Sequence, residues 1–162
     1  VAWPPGDNLG IHAAVDRARP GEVLVVDFGA ETEAGPFGDV LATFARARGV
    51  AGLVIDGCVR DGANLRAMGF PVFARGLCMK GTTKTRFGSV GAPVVCGGVE
   101  VRAGDIVLGD DDGVVVVPQA LVADVVSRAR AREQAEAEMF ARIEAGASTM
   151  DLLALRGFMP GA

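Results

Sequence analysis

Apolar positions along this chain switch between two rhythms. Residues 22–27 (EVLVVD) form an almost unbroken β-branched run bounded by Pro20-Gly21, the signature of a strand covered on both faces. Residues 52–56 (GLVID) and 71–74 read the same way. Further short runs lie at 93–96, 99–101, 106–108 and 114–117. Gly97-Gly98 and Asp110-Asp111-Asp112-Gly113 separate them as turn signals, so the second half is expected to be rich in hairpins.

Helical spacing fills the gaps between the first strands. Residues 9–18 follow Asp7 and Asn8, either of which can cap a helix. Residues 39–48 carry Val40, Leu41, Phe44 and Ala45 on one expected face, and residues 61–68 make a short third helix. The longest helical stretch runs from 119 to about 145. Its first half is expected to bury Leu121, Val122, Val125 and Val126, and its second half pairs Arg132 with Glu136 and Glu138 with Arg142. Ser148-x-x-Asp151 before Leu152-Leu153 has the form of a capping box opening a last short helix. The order α-β-α-β-α-β, then hairpins, then a long helix predicts one layered α/β domain over residues 1–162 with a mixed sheet.

Composition narrows the function. Half of the 162 residues are hydrophobic and 22% are charged, so a disordered or fibrous chain is excluded. A net charge of −4 without a basic run argues against nucleic acid. No apolar stretch reaches the roughly 18 to 20 residues of a membrane span, and the start lacks the pattern of a signal peptide. Val1 in place of Met points to a processed or truncated start. Cys58, Cys78 and Cys96 are odd in number and form no C-x-x-C pair, which fits reduced thiols in a cytoplasmic protein. His12 is the sole histidine and there is no Tyr, so a site with two His ligands is excluded and a His-based triad is disfavoured.

Chemistry is expected where strands end, because ligands of open α/β sheets sit outside their carboxyl ends. Three loops qualify: residues 28–38, residues 57–62 and Arg75-Gly76. Gly38-Asp39-Val40-Leu41 opens a helix whose amides can receive a carboxylate; it reads equally as a plain helix start capped by Asp39. Arg60-Asp61 sets a carboxylate-binding guanidinium beside a hard oxygen ligand suited to Mg²⁺ or Mn²⁺; it reads equally as a helix cap with a surface ion pair. His12 reads as a packing or surface residue, residues 110–113 as a hairpin turn, and Cys58 as a small buried thiol.

Taken in order, these segments resemble a known family. Gly6-Asp7-Asn8-Leu9, VLVVD at 23–27, FGDVLA at 37–42 and GLVIDGCVRD at 52–61 are followed by GFPVFARG at 69–76, VVCGGVEVRAGD at 94–105 and DDDGVVVVP at 110–118. Together they are similar to the RraA-like family, in its 4-hydroxy-4-methyl-2-oxoglutarate/4-carboxy-4-hydroxy-2-oxoadipate aldolase branch. That family's signature is an Asp, twenty intervening residues, then Arg-Asp. Here Asp39 and Arg60 flank residues 40–59 and Asp61 follows.

The resemblance implies a divalent-metal-dependent class II pyruvate aldolase that also decarboxylates oxaloacetate. It implies Asp61 as metal ligand and Arg60 as binder of the pyruvyl carboxylate and enolate. Gly38, Asp39, Val40 and Leu41 would form the substrate loop, and Asp39 would orient a water. It also implies a Glu supplied by the C-terminal helix of a neighbouring subunit, matched here by Glu136, although Ala135 stands where a Lys is expected. The tail GASTMDLLALR at 146–156 is similar to the aldolase tail. The implied fold is a β/β/α swivelling-type domain with a long C-terminal helix, assembled as a trimer or as a hexamer of two trimers. Such proteins carry several tens of residues before Gly6, which are absent here. The base for the 4-hydroxyl proton would be a water on the metal or one oriented by Asp39, and the distant Lys80 and Lys84 leave a Schiff base disfavoured. Two relatives define alternatives. One is a non-catalytic regulator that binds a ribonuclease, against which the complete Asp39, Arg60, Asp61 set and the tail argue. The other is a demethylmenaquinone methyltransferase, for which no strand–GxGxG–helix loop is present.

Overall fold

The computed structural model describes residues 1–2 and 6–159. The chain divides into two compact units, Val1–Gln119 and Ala120–Ala162. In the first, helix α1 (Leu9–Arg17) precedes strand β1 (Val23–Glu31), helix α2 (Asp39–Ala47), strand β2 (Gly52–Val59), helix α3 (Gly62–Met68) and strand β3 (Val72–Leu77). These strands form a parallel sheet in the order β1-β2-β3, with α2 and α3 as the crossovers. Two antiparallel hairpins follow, β4 (Val94–Cys96) with β5 (Val99–Val101), and β6 (Ile106–Asp110) with β7 (Gly113–Val117). Parallel and antiparallel pairing both occur, as the sequence predicts.

Alternation along the strands separates the two faces of the parallel sheet. Leu24, Val26 and Phe28 of β1 and Leu53 and Ile55 of β2 pack with Ile11 and Val15 of α1 and Leu41, Ala42 and Ala45 of α2. Fully burying each such side chain contributes roughly 1.5 to 3 kcal/mol. Phe37 stacks on Phe70, centroids 6.0 Å apart, and so packs the approach to α2 against the far end of α3. On the other face Val25, Val54 and Phe73 line a cavity of about 370 Å³ with Val101, Val107, Val114 and Val116 of the hairpins. The layers therefore run helices, parallel sheet, hairpins.

Several boundaries differ from expectation for identifiable reasons. The strand expected to end at Asp27 continues to Glu31, through Gly29 and Ala30 at positive φ, and Glu31 pairs with Gly57. The strand expected to end at Asp56 continues to Val59, because Cys58 and Val59 pair with Gly76 and Leu77. Val40 is 68% exposed while Ala42 is fully buried, so the covered face of α2 is Leu41, Ala42 and Ala45, with Phe44 partly covered. The turns behave as read. Gly97 and Gly98 both have positive φ, as a type I′ two-residue hairpin requires, and the Asp110 carboxylate accepts from Asp112 and Gly113 N–H.

The second unit contains helix α4 (Val122–Glu144) and a four-residue helix α5 (Thr149–Leu152). The expected burial of Leu121, Val122, Val125 and Val126 is not found: no residue of α4 is buried, and Leu121 and Val126 are exposed. Val122 and Val125 are half-buried. Arg132 and Glu136 form the expected pair at 2.6 Å. The capping box is half made, since Ser148 Oγ accepts Met150 N–H while the Asp151 carboxylate turns to Arg156. No helix among the described residues is long and apolar enough to cross a membrane.

Candidate active site

The extended β2 delivers Arg60 and Asp61 directly to the start of α3, beside the start of α2. Arg60 is fixed from both ends. Its backbone N–H donates to Phe37 O at 2.8 Å and its Nη1 donates to Gly35 O at 2.7 Å. The guanidinium is thus held by the loop leading into α2, with its Nε 3.5 Å from Asp61 Oδ2. Close approach explains both glycines. A Cβ on Gly35 would lie 2.2 Å from Cys78 O, and one on Gly38 would lie 2.2 Å from Asp61 Oδ2 and 2.8 Å from Arg60 Cγ.

Asp61 sits in the left-handed region (φ 58°, ψ 35°), a conformation Asp tolerates better than most residues. It occupies the N-cap position of α3, yet its carboxylate makes no cap bond to that helix. Asp61 Oδ2 instead accepts the Asp39 N–H of α2 at 3.2 Å. The cap of one helix has been turned over to its neighbour. In return Asn64, in the first turn of α3, donates its Nδ2 to Asp39 Oδ2 at 2.8 Å. That amide is the largest influence on the Asp39 carboxyl. Partial burial acts in the opposite sense, but with the Val40 N–H and the Arg60 charge the net result is a pKa below the ordinary carboxylate range.

A buried pair behind the site holds the loops. Asp7 Oδ1 accepts Leu9 N–H, and its Oδ2 accepts from the Thr83 and Thr85 hydroxyls and from Thr85 and Arg86 N–H. Burial alone would raise the Asp7 carboxyl, but the Thr83 hydroxyl and these N–H groups outweigh it and hold it well below the usual carboxylate range. Asn8 Nδ2 donates to Pro36 O at 2.7 Å, in the same loop that grips Arg60. His12, one turn further along α1, is half-buried. Burial, then the Lys84 and Arg60 charges, lower its pKa.

The expected residues Gly38, Asp39, Arg60 and Asp61 therefore meet at one place, where α2 and α3 begin. The N–H groups of Val40 and Leu41 lie in the first turn of α2, where helix geometry gives them no backbone acceptor, and the Val40 N–H meets the Asp39 carboxylate. Glu136 belongs to the second unit, where it pairs with Arg132 and is 41% exposed. Gly35 and Asn64 went unmarked in the sequence and Asn8 was read only as a helix cap and part of a motif, since their roles arise from contacts 25 to 28 residues away rather than from a local pattern; Asn64 touches Asp39 across the two helices. Among the described residues no three His, Cys, Asp or Glu side chains gather as a metal cage. The donor set fits a cation that keeps its water: one hard carboxylate, Asp61, a third exposed, with the Arg60 ion pair and the Asp39 N–H bond both at Oδ2.

The family model described as RraA-like, Aldolase/RraA, matches residues 1–116. The chain belongs to the RraA-like family. Within it, a curated protein of Halalkalibacterium halodurans, provisionally named a 4-hydroxy-4-methyl-2-oxoglutarate aldolase, is 36% identical over 154 residues, covering 95% of this chain and 71% of that protein. A crystal structure from Pseudomonas syringae pv. tomato superposes with a TM-score of 0.84 at 34% identity, covering 91% of this chain and 69% of that one. The structure of the RNA-processing inhibitor RraA from Thermus thermophilis gives 0.67 at 33% identity, covering 71% of this chain and 70% of that one. The RraA-like match thus includes both an aldolase name and an inhibitor name.

Proposed function

We propose that this RraA-like protein is a divalent-metal-dependent class II pyruvate aldolase. Its substrates would be 4-hydroxy-2-oxo di- or tricarboxylic acids such as 4-hydroxy-4-methyl-2-oxoglutarate or 4-carboxy-4-hydroxy-2-oxoadipate, cleaved to pyruvate and a second 2-oxo acid. Oxaloacetate would be decarboxylated at the same site. The observation that supports this best is the restraint on Arg60, whose guanidinium is tied to Gly35 O while Asp61 and the first turn of α2 stand beside it. A cation held ready in this way suits charge that appears only in the transition state.

Asp61 would hold Mg²⁺ or Mn²⁺, which supplies Lewis-acid charge for the 2-oxo oxygen. Arg60 and the Val40 and Leu41 N–H groups would bind the pyruvyl carboxylate, with Gly38 leaving room for it. Asp39, kept ionised by Asn64, would orient the water that removes the 4-hydroxyl proton. The C3–C4 bond then breaks, C4 becomes a carbonyl carbon, and its electron pair passes into the pyruvate enolate, whose charge Arg60 offsets. Protonation at C3 completes pyruvate. Loss of CO₂ from oxaloacetate generates the same enolate. Glu136 would complete the site of a neighbouring subunit in a trimer or hexamer.

The test is pyruvate release, followed with lactate dehydrogenase, from oxaloacetate and both hydroxy acids with Mg²⁺ or Mn²⁺. Release that EDTA abolishes is expected. Silence toward every substrate refutes the aldolase and leaves the inhibitor reading, which the likeness to the Thermus thermophilis protein favours.

A further inference from the structure

We propose that Asn64 is the positioning residue that sets the orientation of the Asp39 carboxylate at this site. The inference rests on the aldolase reading and names a residue that reading does not use. Asp39 is tied to α3 twice: through its backbone N–H to Asp61 Oδ2 at 3.2 Å, and through its Oδ2 to Asn64 Nδ2 at 2.8 Å. The first tie places the Cα. It leaves the carboxylate plane undetermined, because the terminal torsion of Asp is broad. Only bonds to the carboxylate itself fix that plane; the Val40 N–H comes from the adjacent residue, and Asn64 supplies the strongest one, from across the two helices. An amide nitrogen donates and does not accept, so Asn64 holds Oδ2 as an acceptor, and the carboxylate keeps its charge toward a water or hydroxyl.

Structural needs do not account for Asn64. It is exposed, it lies outside the core cluster, and Asn is a poorer helix former than Leu or Gln. What distinguishes Asn64 is its bond across to the Asp39 carboxylate.

The test compares wild type with Asn64→Leu, which has the same branched shape and no donor, and Asn64→Gln, which carries the donor on a longer arm. Both should fold as wild type by circular dichroism. In Asn64→Leu the kcat for pyruvate release should fall roughly tenfold, as expected for a misaligned group. Oxalate, which mimics the pyruvyl end held by Arg60, should bind with unchanged Kd. Asn64→Gln should recover part of the lost kcat. The Asn64 side-chain amide protons, slowed in exchange in wild type, should exchange freely in Asp39→Ala, whether or not the protein is an aldolase. Wild-type kcat in Asn64→Leu overturns the inference. So does a kcat loss matched by an equal loss of oxalate affinity and unrelieved by Gln, and so does an unprotected amide. Wild type silent toward all 2-oxo acids overturns the aldolase reading and the role with it; the amide spectrum still reports the Asn64–Asp39 bond.

Discussion

Adding one methyl group at Gly38 probes the site without replacing any group that reacts. Gly38 has φ −150° and ψ −164°, extended backbone that Ala adopts without strain. The whole effect of Gly38→Ala is therefore steric. The new Cβ would sit 2.2 Å from Asp61 Oδ2, 2.8 Å from Arg60 Cγ and 3.0 Å from Arg60 Nε, where ordinary contact begins near 3.4 Å. Asp61 and Arg60 must each withdraw, the carboxylate by about 1 Å, and a misplacement of that size costs on the order of 10²-fold in rate. That is about 2.7 kcal/mol of transition-state stabilisation. Stability should hardly change. The displaced pair is 26% and 34% exposed, so loosening it costs at most about 1 kcal/mol, and Gly→Ala returns about 0.4 to 1 kcal/mol through the unfolded chain. The assay is kcat/KM for pyruvate release beside Tm. Gly81→Ala serves as control, because its Cβ meets nothing within 4 Å. Wild-type kcat/KM in Gly38→Ala would remove Arg60 and Asp61 from the chemistry.

Three further outcomes follow from the same geometry. Asp61→Asn keeps an oxygen for the Asp39 N–H and tolerates the left-handed backbone but loses its charge. Its metal-dependent turnover should fall by orders of magnitude with Tm unchanged, and full turnover would reassign the metal. Arg60→Lys cannot reproduce the planar fork that donates to Gly35 O and a carboxylate together. Its oxalate affinity, measured by calorimetry with Mg²⁺, should drop about ten- to a hundredfold; equal dissociation constants would make Arg60 a surface residue. Asp7 has a folded pKa below its unfolded value of about 3.9. Its contribution is thus fully present above that value and lost as pH falls beneath it. Denaturant titrations from pH 7 to 2.5 should show Asp7→Asn less stable at pH 7 and flatter below pH 4, whereas parallel curves would count against this.

Much of this was legible because the relevant physics is local. Strand cores, the helix starts at Gly38 and Asp61, and the glycine turns all follow from runs, periods and caps. Arg60 and Asp61 were legible as chemistry because a strand end followed by a helix start is where ligands meet an α/β sheet. What stayed hidden depends on distant partners. Gly57-Cys58-Val59 has a loop-like opening but is strand, because Glu31, Gly76 and Leu77 offer it ladder positions. Asn64 has no meaning until α2 lies alongside. Val40 falls off the buried face of α2 because the sheet covers an arc centred on Leu41 and Ala45, an arc that periodicity draws too wide.

The Asp61 carboxylate bridges the beginnings of two helices, and this shapes how the site can be redesigned. Positions 38, 39, 61 and 64 behave as one coupled unit: a change that removes a donor or acceptor, or adds bulk at 38, leaves the others gripping nothing or pressed too close. A library that randomises them singly would miss every replacement that needs a compensating change at a second position. Neighbours in direct contact depart from additivity, so working alternatives will emerge only when the four positions are varied together.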